Sequence, residues 1–90
     1  MSDSQIAQLR SAIDAVDVQI FELIARRLEL ASRVGEQKRV TDTSITQSKR
    51  ESQVRSTALR TAATLGIDAS VADAIIAQLI DASRRRQLEG

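Results

Sequence analysis

From Ser4, whose hydroxyl can cap a helix, to about Arg39, the chain runs without a helix-breaking interruption, and its apolar residues keep a regular spacing. Ile6, Leu9, Ile13, Val16, Ile20 and Leu23 step alternately by three and four, and the next steps land on Arg27, Leu30 and Val34. That alternation is the a/d seam of a heptad repeat, so the segment reads as one helix about 54 Å long at 1.5 Å per residue. A compact chain of 90 residues has a radius of gyration near ~12 Å. A helix so much longer than that cannot be covered by its own chain. The expected architecture is therefore all-α, with three helices per chain, one of them very long, in an intertwined homodimer whose second copy supplies the missing packing.

The other two helices follow from caps and stripes. Residues 40–45 break the pattern with Thr, Asp and Ser, and Ser44 with Gln47 forms a plausible capping box for a second helix over about 45–64. Its apolar face runs through Val54, Ala58, Leu59, Ala62 and Leu65, and Gly66 supplies the stop. A third helix, about 69–88, begins at Asp68, or at Ser70 with Asp73 as its N3 partner, and buries Ala72, Ile75, Ile76, Leu79 and Ile80. With no repeat, linker or low-complexity tract, residues 1–90 read as a single domain. The polar start lacks a hydrophobic leader, and the run from Ala74 to Ile80 is too short to span a bilayer, so the expectation is a soluble, cytoplasmic protein.

Composition removes most site chemistry. There is no Cys and no His, hence no thiolate nucleophile and no imidazole base or ligand, and neither metal nor cofactor is expected. A single Phe cannot build a stacking platform for single-stranded nucleic acid. Thirteen basic residues nearly balance twelve acidic ones, so no large field draws polyanions or membranes. Of the thirteen, only Lys38 and Lys49 are Lys. A guanidinium meets a carboxylate or phosphate with two parallel hydrogen bonds, so this surplus suits recognition of small planar anions. Composition alone favours the plainer source of such a surplus, a GC-rich coding sequence.

The telling positions are polar residues where the pattern asks for apolar ones. Arg27 falls on the seam between Leu23 and Leu30, where a guanidinium is costly unless an anion meets it. The plain alternative is that it snorkels to solvent or pairs with Glu22 or Glu51. Lys38 lies eleven residues on, about 20° off the same face and roughly 16 Å along the axis, so the two cations could grip opposite sides of one small dianion. By itself Lys38 is an ordinary lysine at a helix end. Steps of four from Leu79 meet Ser83 and Gln87, which either face a ligand or mark the helix emerging into solvent. Gln47, Arg50, Glu51 and Val54 share one face of the second helix, where Glu51 and Arg55 form an i,i+4 pair. Arg10 sits about 25 Å axially from Arg27 and nearly 100° round the helix, so it can join the same ligand only from the partner in an antiparallel dimer.

Taken in order, Leu9-Arg10, Ile13, Asp17, Arg26-Arg27, Leu30-Ala31, Val34-Gly35, Lys38, Arg50-Glu51, Ile80-Asp81, Ser83 and Gln87 resemble the all-helical class of chorismate mutase over nearly the whole chain. The resemblance implies intertwined dimers of three-helix chains with two equivalent sites. It implies that Arg27 and a partner-chain Arg10 bind the two carboxylates of chorismate, and that Lys38 and Gln87 bond to the ether oxygen of the breaking bond. Lys38 with Glu51 would also hold the ring hydroxyl, while Arg50 and Ser83 line the pocket. Where several members carry Asp three residues before the Arg-Glu pair, this chain has Gln47. The implied reaction, chorismate to prephenate in phenylalanine and tyrosine biosynthesis, needs no proton transfer, nucleophile, metal or redox step, which accords with a chain lacking His and Cys. An isochorismate pyruvate-lyase of the same fold, a non-catalytic helical interaction module, and nucleic-acid binding through Arg84-Arg85-Arg86 are the rivals. That terminal Arg run is also where docking onto another shikimate-pathway enzyme would be sought.

Overall fold

The computed structural model describes residues 2–41 and 47–89, which form three helices and, among the described residues, no strand. They are α1 (Asp3–Thr41), α2 (Gln47–Leu65) and α3 (Ala69–Glu89). α3 packs against both other helices. It runs parallel to the C-terminal half of α1, since Arg27 reaches Leu79 and Ser83 while Lys38 reaches Gln87. It runs antiparallel to α2, with Arg55 ion-paired to Asp73 and Glu51 to Arg84.

Each helix end has a local cause. α1 starts earlier than a Ser4 cap predicts, because Ser2 and Gln5 form a reciprocal capping box: the Gln5 backbone nitrogen donates to Ser2 Oγ at 3.2 Å and the Ser2 backbone nitrogen to Gln5 Oε1 at 2.8 Å. Ser4 has Ala7 three residues on and can close no such box. The expected Ser44 cap lies outside the described residues. Gly66, at φ 73°, ends α2 in a Schellman motif, with Ile67 N donating to Ala62 O at 2.8 Å and Gly66 N to Ala63 O at 3.4 Å. At α3 it is Asp68 that caps, taking bonds from the nitrogen and hydroxyl of Ser70. Asp73 is no N3 partner there; it is tied to Arg55 across the α2–α3 contact at 2.7 Å.

The molecule measures 58 × 24 × 15 Å, with a radius of gyration of 16.9 Å. Its accessible surface is 7096 Å², against about 5,200 Å² for a compact monomer of 9.8 kDa. Among the described residues only Ala31 and Ala62 are buried hydrophobics. The seam residues of the N-terminal half of α1 are open: Leu9 is 52% exposed, Ile13 57% and Leu23 66%. In the stripe of α3 expected to be buried, Ile75 is likewise 53% exposed, and Ala72, Ile76, Leu79 and Ile80 are half-buried. Among the described residues, no helix is long and apolar enough to cross a membrane.

Candidate active site

Helical periodicity gathers polar side chains around one cavity of about 660 Å³ between the three helices. On α1, Arg27, Ala31, Val34 and Lys38 recur at intervals of four, three and four and so share a face. Gln47, Glu51 and Val54 do the same on α2, and Ile80, Ser83 and Gln87 on α3. The apolar members form walls that keep the polar ones partly desolvated. Lys49 and Arg50 add two further cations to the lining.

Arg27 is half-buried, and its Nη1 donates to the Leu79 carbonyl at 3.2 Å and to the hydroxyl of buried Ser83. Neither Glu22 nor Glu51 pairs with it, contrary to the plain alternative; among the described residues its recorded partners are both neutral. Burial, and then the neighbouring charge of Arg50, hold its guanidinium below the ordinary value. Both causes act against the cation, and a bound carboxylate at this point would offset them by favouring the charged form.

Lys38 closes the far end. Its Nζ donates to Oε1 of Gln47 and, at 3.0 Å, to Oε1 of Gln87. Gln47 passes the network on, with Nε2 donating to Glu51 Oε2 at 2.9 Å. Glu51 does not pair with Arg55 as its i,i+4 spacing suggests. Instead it meets Arg84 of α3 through two bonds, Nε to Oε2 at 3.1 Å and Nη2 to Oε1 at 2.6 Å. Hydrogen bonds from Arg84 and Gln47, which outweigh partial burial, hold the Glu51 carboxyl below the usual carboxylate range, and the charges of Arg84 and Lys38 add to this.

The Lys38–Gln87 bond needs α1 and α3 to approach closely, and Gly35 permits it. A Cβ at position 35 would lie 2.5 Å from the Gln87 carbonyl oxygen and 2.7 Å from its Cα. Only glycine fits so tight a backbone crossing.

Arg27, Lys38, Gln47, Arg50, Glu51, Ser83 and Gln87 thus all line one cavity, whereas Arg10 lies on the exposed N-terminal half of α1 and does not. Sequence reasoning missed Lys49, the Leu79 carbonyl, the Gly35 crossing and above all Arg84, which it grouped with the terminal Arg run. One signal was available for Arg84: it stands three residues before Gln87 and so shares part of that face. Arg85 is held on its own helix by Asp81, at 2.5 Å. Among the described residues, no group of three or more His, Cys, Asp or Glu is placed to hold a metal ion.

Residues 9–88 match the family model described as chorismate mutase type II. A protein of Streptomyces pristinaespiralis, 4-amino-4-deoxychorismate mutase, is 38% identical over 60 residues, a stretch covering 67% of this chain and 46% of that relative. The chain therefore spans less than two thirds of that relative's length. No solved structure matches.

Proposed function

The chain belongs to the chorismate mutase type II family, and from that membership we propose that it isomerises chorismate to prephenate, feeding phenylalanine and tyrosine biosynthesis. The observation that carries the reading is Arg27, a half-buried guanidinium beside Arg50 that, among the described residues, bonds only to the neutral Leu79 carbonyl and Ser83 hydroxyl and faces a cavity of about 660 Å³. A dicarboxylate supplies what that cation lacks.

In the rearrangement the ether C–O bond breaks as a C–C bond forms within one molecule, and no proton or electron leaves it. The protein has two tasks. It holds the side chain folded over the ring, which is positional work for Arg27 and Arg50 on the carboxylates. It also places donors where negative charge grows on the ether oxygen, the task of Lys38 and Gln87. Lys38 brings a full charge, and half a turn of the Gln87 amide presents Nε2 in place of Oε1. Ser83 keeps Arg27 aimed, while Glu51 and Gln47 hold the ring substituent.

The substituent we assign is the hydroxyl. Among the described residues, four cations line the cavity, and the one carboxylate, Glu51, is already bidentate to Arg84, so a substrate ammonium would enter a positive field. The amino-substituted substrate named for the Streptomyces relative should accordingly be turned over with a lower kcat/KM than chorismate.

The site is completed by a second copy. The surface excess over a compact monomer, about 1,900 Å², is of the size that a large obligate interface hides, and the open seam that leads to Arg10 contributes to it. An antiparallel partner brings its own Arg10 to the second carboxylate. Purified protein incubated with chorismate should yield prephenate. Salicylate and pyruvate formed from isochorismate would assign a lyase instead. No turnover, together with no rise in Tm when a transition-state analogue is added, would leave an interaction module.

A further inference from the structure

Glu51 is the only carboxylate among the described residues lining the cavity, and its orientation is set from outside. Arg84 follows buried Ser83, which is anchored to Arg27, so the backbone of α3 fixes where the Arg84 side chain starts. From there its planar fork spans both Glu51 oxygens, at 3.1 and 2.6 Å. Oε2 also accepts from Gln47 Nε2, and this obliges the Gln47 carbonyl to face Lys38. Hydrogen bonds thus run unbroken from Arg84 through Glu51 and Gln47 to Lys38 and Gln87, with Arg84 at their outer end.

We infer that Arg84 is a positioning residue of this site: by clamping Glu51 as an anion, it fixes the Gln47 amide in the orientation that accepts from Lys38. The inference rests on the mutase reading for its consequence but not for its geometry. A protonated Glu51 could donate to the Gln47 carbonyl, turn the amide, and point Nε2 at the Lys38 ammonium, two donors face to face. Among the described residues, the charges that act on Glu51 are Lys38 on α1 and Arg84 on α3, the latter with Asp81 at 4.0 Å behind it; on α2 itself Arg50 precedes it in sequence and Arg55 is turned to Asp73. Arg84 is the one whose fork is closed on the carboxylate.

The sign follows directly. Glu51 is held low, so the productive arrangement persists as pH falls until Glu51 is protonated, and losing Arg84 moves that point upward. The test is an NMR titration of the Glu51 carboxyl carbon alongside kcat/KM against pH, in the parent protein, Arg84→Ala and Arg84→Lys. In Arg84→Ala the Glu51 midpoint should rise, and the acid limb of kcat/KM should rise with it. At neutral pH kcat/KM should fall about threefold to fivefold, because the pair is half-exposed, and Arg84→Lys should recover part of both effects. An unmoved Glu51 midpoint, or one that moves while the limb stays, overturns the inference and leaves Arg84 a mere tie between α2 and α3, visible only as a lower Tm. Absence of chorismate turnover in the parent protein would bring down the mutase reading alone, since the NMR titration still decides whether Arg84 clamps Glu51.

Discussion

Between Ile6 and Leu23, α1 presents its heptad seam to solvent; between Arg27 and Lys38 the same helix packs along α3 and walls a cavity. Spacing does not distinguish the two halves, since the steps of three and four continue across both. What differs is the residue type on the seam. The N-terminal half is apolar throughout, and each of those side chains gains about 1.5–3 kcal/mol on full burial. The C-terminal half interrupts its apolar stripe with Arg27 and ends it at Lys38, where burial is unfavourable without partners. The lesson is that one continuous pattern can serve two purposes: the uninterrupted stretch suits another helix, and the interrupted stretch suits a charged ligand.

Placing charge on the uninterrupted stretch tests that division most severely. Ile13→Asp with Ile20→Asp should convert a dimer to a monomer by light scattering and remove activity altogether, since no partner Arg10 could then arrive. A dimeric, active double variant would show that the seam has another use. On the interrupted stretch, Lys38→Ala should lower kcat by about 10²–10³, the loss of a donor worth ~2.7–4 kcal/mol, with helicity and dimer unchanged by circular dichroism and light scattering. Near-normal turnover would remove Lys38 from the chemistry. A milder change is Gln87→Glu, which should work only at acidic pH, where a protonated carboxyl can still donate to the ether oxygen; a flat pH profile would count against a donor role.

The division is partly legible in the sequence. Departures from an apolar stripe within a single helix are readable in sequence, which is why Arg27, Ser83 and Gln87 stood out, and why the helix-length argument found α1 too long for its own chain. Pairings set by how two helices cross are not readable. Glu51 had a sequence neighbour in Arg55, but the α2–α3 contact gave Arg55 to Asp73 and Glu51 to Arg84, 33 residues away. The earlier start of α1 was readable but overlooked, because Ser2 with Gln5 is a capping box in plain sequence. Ile75 was misjudged because periodicity reveals which residues share a face and says nothing about whether a neighbour extends far enough to cover it.

The crossing at Gly35 works like a mechanical stop. Backbone meets backbone there, so the gap between Lys38 and Gln87 is gauged by the van der Waals radii of main-chain atoms, with no side chain acting as a spacer. Repacking elsewhere along α3 can change the stability of the bundle without recalibrating that gap. A single methyl group at position 35 would recalibrate it at once.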